Sequence, residues 1–414
     1  MRVRIHRGAA EIGGSCIELE AASGARILLD LGMPLVEDAD SLTLPAVRGL
    51  DTGDDPSLLG VIISHPHQDH WGKVGLAHPN VPIIVGRAAA DILRAGLFFG
   101  TGIDLSPAAF LEHRRPLSLG PFTVTPFLND HSAYDAYSLL VEADGRRVFY
   151  TGDIRAHGRK GKLFDQLLAN PPPDIDVLLM EGTNVPPAGE APRPVVTESE
   201  LEDDLTLAFA DTPGLVLAAF SAQNIDRLVT VYRAALRAGR ELVIDLYAAT
   251  IAEATGRDSI PKPGFDKLRV FVPHQQKVRV KRASAFDRVD RIKRYRIFPD
   301  ELRDRRAELV LLFRASMVND LERAKCLEDA RLVWSQWAGY LDQDRDGVRD
   351  FAARHDIPLD VQHTSGHASI ADLRRLATAL APQRVVPIHT FGSERFASHF
   401  DNVERHPDGV WWDV

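Results

Sequence analysis

The chain has 414 residues, of which 45% are hydrophobic, and a formal net charge of −9. That length suits two domains with a sizeable buried core. No apolar run approaches the ~20 residues that span a bilayer, and the opening "MRVRIHRGAAEIGG" lacks a leader's apolar stretch, so the chain reads as cytoplasmic with no membrane partner.

The first third is rich in short apolar runs: "VRIHRGAA", "SCIELEA", "RILLDLG", "LGVIIS", "VPIIVG", "FTVTPFL", "YSLLVEA", "RRVFYTGD" and "DVLLMEGT". Several end in Gly, Asp or Asn, and all read as strands. The proline-rich "NVPPAGEAPRPVV" that follows reads as a linker. The rhythm then changes. In "TESELEDDLTLAF", Thr197 and Glu200 are spaced as a capping box, and Leu201, Leu205 and Phe209 share one helical face. "GLVLAAF", "AQNIDRLVTVYRAALRAG" and "ELVIDLY" read as strand, helix and strand, a parallel βαβ unit of Rossmann-like layout. Near residue 355 the first kind of sequence returns, with "LDVQHTSGHAS", the helix "IADLRRLATAL" and "RVVPIHT". The expected organisation is a first domain in two pieces, 1–194 and 355–414, with a second domain, 195–354, inserted. "DQDRDG", Asp342 to Gly347, resembles the start of a calcium loop. Its twelfth position is Ala353, where a bidentate Glu is needed, so it reads as a turn and helix cap.

The acidic balance does not by itself call for a nucleic-acid partner, yet the charge is uneven. Lys277 to Arg296, "KVRVKRASAFDRVDRIKRYR", carries nine Lys or Arg against Asp287 and Asp290, a local charge of +7. Such a run is either a solvated surface or a patch that follows phosphates.

"SHPHQDHWG", Ser64 to Gly72, places His65, His67, Asp69 and His70 where a strand ends. The two cysteines, Cys16 and Cys326, are too few and too far apart for a thiolate cage or a disulfide framework. Any metal must therefore be held by imidazole and carboxylate, a set that suits zinc, manganese or iron. His65 and His67 can point into one pocket, and Asp69 and His70 into its neighbour. Two ions need more ligands than these. His131 after "FLND", Asp153 after "VFYTG" and His389 after "RVVPI" stand at the ends of apolar runs and are the candidates. Asp30, ending "RILLD", could orient the pocket from behind.

These stretches resemble a known family. "SHPHQDHWG", "NDHSAYDAYSL" and "YTGDIR" look like the metal-binding motifs of the metallo-β-lactamase fold. "MEGTN" with Glu181, "FSAQNIDR", "HTSGHAS" with His367 and "PIHTFGSE" with His389 resemble the beta-CASP nucleases, and among them ribonuclease J. The opening "GAAEIGGSCIELE" is similar to the ribonuclease J start. The resemblance spans nearly the whole chain. It implies an αββα metallo-β-lactamase sandwich with an inserted Rossmann-like beta-CASP domain. It also implies that His65, His67 and His131 hold one divalent ion, that Asp69, His70 and His389 hold a second, and that Asp153 bridges them. Zinc is the first expectation, manganese or magnesium the alternatives. Asp69, Glu181 and His367 are the expected catalytic residues. His367 would contact or protonate the reacting phosphodiester, and Glu181 would orient it.

By the same resemblance the "SGHAS" turn (Ser365, Gly366, His367, Ala368 and Ser369) would hold a phosphate on free amides at a helix start. Lys281, Arg282, Lys293 and Arg294 would hold single-stranded RNA in a domain that covers the cleft. The expected activity is hydrolysis of RNA, by 5′-3′ exonuclease or endonuclease action, and the histidine at 389 favours RNA over DNA. A DNA-acting beta-CASP nuclease, a hydrolase of a small ester, lactone or thioester, and a silent RNA-binding subunit are the alternatives. Two departures stand out. "VWSQWAGYL" replaces a Pro-Gly-Asn-Glu-like stretch of the family. The chain stops at Val414, so the further C-terminal domain of longer ribonucleases J is expected to be missing. The assembly could be a homodimer.

Overall fold

The computed structural model describes residues 1–35, 43–191, 194–344 and 347–414. The chain divides into two compact units. The first comprises residues 1–94, 103–195 and 366–414, the second 95–102 and 196–365.

The first eleven strands belong to the first unit. In chain order they are β1 (Arg2–Arg7), β2 (Cys16–Glu20), β3 (Arg26–Leu29), β4 (Leu58–Ile62), β5 (Ile83–Gly86), β6 (Ala109–Leu111), β7 (Leu117–Leu119), β8 (Phe122–Leu128), β9 (Tyr137–Ala143), β10 (Arg146–Tyr150) and β11 (Val177–Glu181). The second unit contributes β12 (Val216–Ala219), β13 (Glu241–Asp245), β14 (Leu268–Phe271), β15 (Leu309–Leu312), β16 (Arg331–Trp334) and β17 (Leu359–Val361). The chain then returns to the first unit with β18 (Arg384–Ile388) and β19 (Trp411–Asp413).

The first unit holds two sheets, ordered β19-β1-β2-β3-β4-β5-β6 and β18-β11-β10-β9-β8-β7. Successive side chains of a strand point to opposite faces, and the burial follows that rule. Ile27 and Leu29 of β3, Leu139 and Val141 of β9, and Val177 and Leu179 of β11 fill one core between the sheets. The intervening Leu28 packs with Ala89, Ala90 and Leu93 of the helix Arg87–Leu97. Likewise Leu140, Leu178 and Met180 pack with Phe164 and Leu167 of the helix Gly161–Ala169 and with Leu373, Leu376 and Leu380 of the helix Ile370–Leu380. Helices thus cover both outer faces, and the layers are αββα. The expected strands all form. The additional β6, β7 and β19 have three residues each, too short for a periodic signal.

The second unit is a single parallel sheet, ordered β14-β13-β15-β12-β16-β17. The helix Glu198–Ala210 opens with the expected capping box, the Thr197 side chain accepting from Glu200 and the reverse, and buries Leu201, Leu205 and Phe209. The second-domain boundaries need two corrections. Residues 355–365 stay with the second unit, because β17 adds to its sheet edge beside β16, so the return begins at Gly366 rather than at 355. The short segment 95–102 also groups with the second unit, where Phe99 meets the Tyr247 ring at 5.0 Å. Within "DQDRDG", the Asp344 carboxylate accepts from the amides of Val348 and Arg349 at the start of the helix Val348–Arg354, as a cap. Residues 345 and 346 of that stretch, and 192 and 193 of the proline-rich linker, lie outside the described residues. No described helix is long and apolar enough to cross a membrane.

Candidate metal centre

Loops at the strand ends of the first unit bring seven donor residues together. His65 and His67 follow β4, and Asp69 and His70 lie on the single turn Gln68–Trp71. His131 follows β8, Asp153 follows β10 and His389 follows β18. The backbone packs closely enough here to need glycine. A Cβ on Gly32 would stand 1.7 Å from the Asp69 carbonyl oxygen. Asp30 and His389 both hold positive φ, 61° and 48°, a region non-glycine residues occupy at a cost and usually for a local reason.

Two donor sets share one carboxylate. His65, His67, His131 and Asp153 form one group, and Asp69, His70, His389 and Asp153 the other, with donor atoms in each within 4.8 Å of one another. In the first, His131 Nε2 is 3.0 Å from His67 Nδ1, and Asp153 Oδ2 is 3.5 Å from His65 Nε2. In the second, His389 Nε2 is 3.2 Å from Asp69 Oδ2, and His70 Nε2 is 3.3 Å from Asp153 Oδ2. Tetrahedral ligands with bonds of ~2.0–2.1 Å stand ~3.3 Å apart, so both sets have the spacing that one ion each requires.

The outward ring nitrogens fix the tautomers. His70 Nδ1 donates to Asp30 Oδ2 at 2.7 Å, and His131 Nδ1 donates to the Gly366 carbonyl at 2.6 Å. His65 Nδ1 faces Ser64 Oγ at 3.0 Å, while that hydroxyl donates to Asp30 Oδ2. Thr183 Oγ1 faces His389 Nδ1 at 2.9 Å and donates to the His389 carbonyl. In each of these four rings Nε2 is thereby the nitrogen turned inward. His65 Nε2, His70 Nε2 and Asp153 Oδ1 are buried with no hydrogen-bond partner among the described residues. Buried polar atoms are rarely left so unless something else binds them.

Burial drives the His65 and His131 pKa values well below the ordinary imidazole range and that of His67 to about 4, which keeps all three neutral, the state that binds metal. Burial opposes charge on His70 as well, but Asp153, Asp30 and Asp69 together raise it well above the usual value. Burial likewise disfavours the Asp69 and Asp153 carboxylates, yet the surrounding histidines hold both below the usual range. The donor chemistry, spacing and orphaned atoms all fit divalent metal.

Beside this set stands His367, with Nδ1 3.5 Å from Glu181 Oε1 and 3.8 Å from Asp153 Oδ2. Burial opposes its charge, but Asp153 and Glu181 raise its pKa to about 9. Glu181 is fully buried and accepts from Thr183 N at 2.9 Å and from Ala368 N at 3.3 Å. The expectation that the Ser365–Ser369 turn offers free amides is therefore corrected at Ala368, whose amide turns inward to Glu181. The Ser369 side chain is likewise engaged, as the cap accepting from Asp372 N. Ser365 closes the second unit and Gly366 opens the return of the first.

The four RNA candidates Lys281, Arg282, Lys293 and Arg294 belong to the second unit and are exposed. Sequence reasoning missed the supports of the site. Asp130 and Arg155 are fully buried, their side chains 3.5 Å apart, and Arg155 N donates to the Asp130 carbonyl. Tyr150 donates to Asp30 Oδ2 at 2.5 Å. The adjacency of Asp130 to His131 was the available signal.

Comparison with known proteins agrees with this architecture. A family profile described as the beta-lactamase superfamily domain matches residues 25–211, and one described as the Zn-dependent metallo-hydrolase RNA specificity domain matches 359–404. An RNase J-like protein of Methanocaldococcus jannaschii is 25% identical over 59% of this chain and 57% of its own. Ribonuclease J of Sinorhizobium meliloti is 24% identical over 80% of this chain and 58% of its own. The chain thus spans under three-fifths of the length of these two relatives. A crystal structure of a protein of unknown function from Enterococcus faecalis superposes with a TM-score of 0.79 over 99% of both chains at 21% identity, which shows a shared fold. With lactamase-superfamily and RNA-specificity matches on one chain and ribonuclease J among its relatives, this chain is similar to the metallo-β-lactamase-fold proteins of the ribonuclease J-like kind.

Proposed function

We propose that this protein is a metal-dependent ribonuclease that hydrolyses phosphodiester bonds. The observation that carries the reading is the shared carboxylate: Asp153 stands in both donor sets, and the His367–Glu181 pair adjoins it. His65, His67 and His131 would hold one ion, Asp69, His70 and His389 a second, and Asp153 would contact both, with zinc as the first choice given the imidazole-rich set. Ions so held supply an activated water and offset charge on a phosphoryl group.

The chain's own residues do the rest. Asp30, Ser64, Thr183 and the Gly366 carbonyl fix which ring nitrogen of His70, His65, His389 and His131 faces inward. Asp69, held at its backbone by the tight approach to Gly32, presents its carboxylate to His389. Glu181 keeps His367 charged and aimed at the centre, where its proton can pass to the leaving oxygen. Glu181 itself is held by the Thr183 and Ala368 amides, so His367 cannot turn away without breaking a buried arrangement. The RNA-specificity profile covers both His367 and His389, which supports RNA as substrate.

The test is cleavage of linear 5′-monophosphate, linear 5′-triphosphate and circular RNAs by metal-loaded protein in Mn²⁺ and Zn²⁺. Degradation of the linear 5′-monophosphate RNA alone identifies a 5′ exonuclease, and cutting of circles an endonuclease. If no RNA is cut while a small ester or thioester is, the ribonuclease reading is wrong.

A further inference from the structure

The nine cations of Lys277–Arg296 do not all have the same surroundings. Five are engaged within the second unit. Lys277 lies over the Phe271 ring at 5.8 Å, and Arg279 donates to the Phe98 carbonyl at 2.9 Å. Arg288 stacks over Phe98 at 4.3 Å, Arg291 pairs with Asp287, and Arg296 stacks over Phe298 at 4.7 Å. The side chains of the other four, Lys281, Arg282, Lys293 and Arg294, are exposed and have no ion pair, hydrogen bond or ring partner among the described residues.

The free cations come in two pairs. Lys281 and Arg282 end the helix His274–Arg282, and Lys293 and Arg294 lie on the turn Lys293–Tyr295. Between the pairs runs the short helix Asp287–Arg291, about 8 Å long at its five residues. Phe286 stands at its start with its side chain 56% exposed, and its ring has no aromatic or cationic partner among the described residues. A lone exposed Phe means little. Here, however, the nearby Phe98 and Phe298 rings are capped by arginines, while Phe286 is left open between four unpaired cations.

We infer that Phe286, with Lys281, Arg282, Lys293 and Arg294, forms a holding site for single-stranded RNA, in which the cations contact phosphates and the ring stacks on a base. The inference rests on RNA being the substrate. A flexible single strand can present phosphates and an unstacked base together, whereas a duplex hides its bases; cations with an open aromatic ring therefore select the single strand. The competing role, Lys281 and Arg282 steadying the carboxyl end of their own helix, accounts for neither Lys293 and Arg294 nor the open ring.

The test is affinity for a short phosphorothioate-linked oligouridylate over a salt series, with the metal-loaded protein. Phe286→Ala should weaken binding roughly tenfold or more without changing the salt slope. Phe286→Tyr should restore it. Joint charge reversal of Lys281, Arg282, Lys293 and Arg294 should lower the slope by up to ~0.7 per lost phosphate contact. Unchanged affinity in Phe286→Ala, or equal loss of affinity for duplex DNA and single-stranded RNA in that variant, overturns the stacking site. An unchanged slope after charge reversal overturns the phosphate contacts. Cleavage of a dinucleotide, which is too short to need this site, reports separately on the ribonuclease reading and should be unaffected in every one of these variants.

Discussion

Asp153 and His367 lie within 3.8 Å of each other, yet the same geometry gives them different tasks. Asp153 is flanked by imidazoles of both donor sets, so Asp153→Asn removes the one charge that both ions would share. The expected result is loss of activity together with a fall in bound metal, read by elemental analysis of protein purified without chelator; full metal content would contradict the shared role. His367 has its Nδ1 toward Glu181 and Asp153 and belongs to neither of the sets built around Asp153 with His65 or His70. His367→Ala should therefore retain metal while losing ~10²–10⁴-fold in cleavage, the usual worth of a positioned proton donor. Its position with Glu181 and His389 in a third close group supplies the rival outcome: metal lost as completely as in His65→Ala would make it a ligand.

Among the elements, buried ionic links tie neighbouring segments together, two of them in the first unit at Glu18 and Asp130. Glu18 on β2 is fully buried and receives Arg4 at 2.8 Å and His6 at 2.8 Å from β1, and Arg26 at 2.7 Å from β3. Burial alone would raise its pKa, but His6, Arg4 and Arg26 hold it at about 2, against 4.5 for a free side chain. A depressed carboxylate stabilises the fold above its unfolded pKa, and that stabilisation fades as pH falls from about 4.5 to about 2. Glu18→Gln should therefore lower stability by ~3 kcal/mol at pH 7, because Arg26 is left buried beside a neutral amide. It should also flatten the loss of stability between pH 4.5 and 2, as read by urea unfolding. The second link is Asp130–Arg155, which joins the loop bearing His131 to the loop bearing Asp153. Arg155→Met should cost ~1–3 kcal/mol, since Asp130 loses one cation but keeps the Gly158 amide at 2.7 Å and Lys160 at 3.9 Å, and should weaken metal binding ~10–100-fold without removing a ligand. Unchanged affinity in a zinc-competition titration would show that the loops hold their positions without it.

For the whole molecule, the first unit has two sheets and the second one, and all seven residues that could hold metal belong to the first. Metal should therefore stabilise chiefly that unit. Removing metal with a chelator is expected to speed amide exchange around His65–His70, His131, Asp153 and His389, and to leave the amides of β12, β13 and β15 unchanged. Equal acceleration in both units would mean that the ions support the fold throughout.

The clustering of His65 to His70 was legible in the sequence because these donor side chains are covalent neighbours at one strand end, where spacing alone dictates a shared direction. The strands of the sandwich were legible for a similar reason, since alternation is a local pattern. The capping box at Thr197 and the parallel βαβ unit that follows were local as well. What the sequence left open depends on pairing between distant segments. Strand β17 is three residues with no preference of its own, and only its hydrogen bonds to β16 assign 359–361 to the inserted sheet and move the boundary to 366. The amide of Ala368 looked free at a helix start until the fold brought Glu181 to it across 187 positions. The same holds for Asp130 and Arg155, and for which four of nine cations remain unpaired. A residue's type is written in the chain, but its partner is chosen by packing, because burial strips water from a polar group and leaves the nearest side chain to replace it.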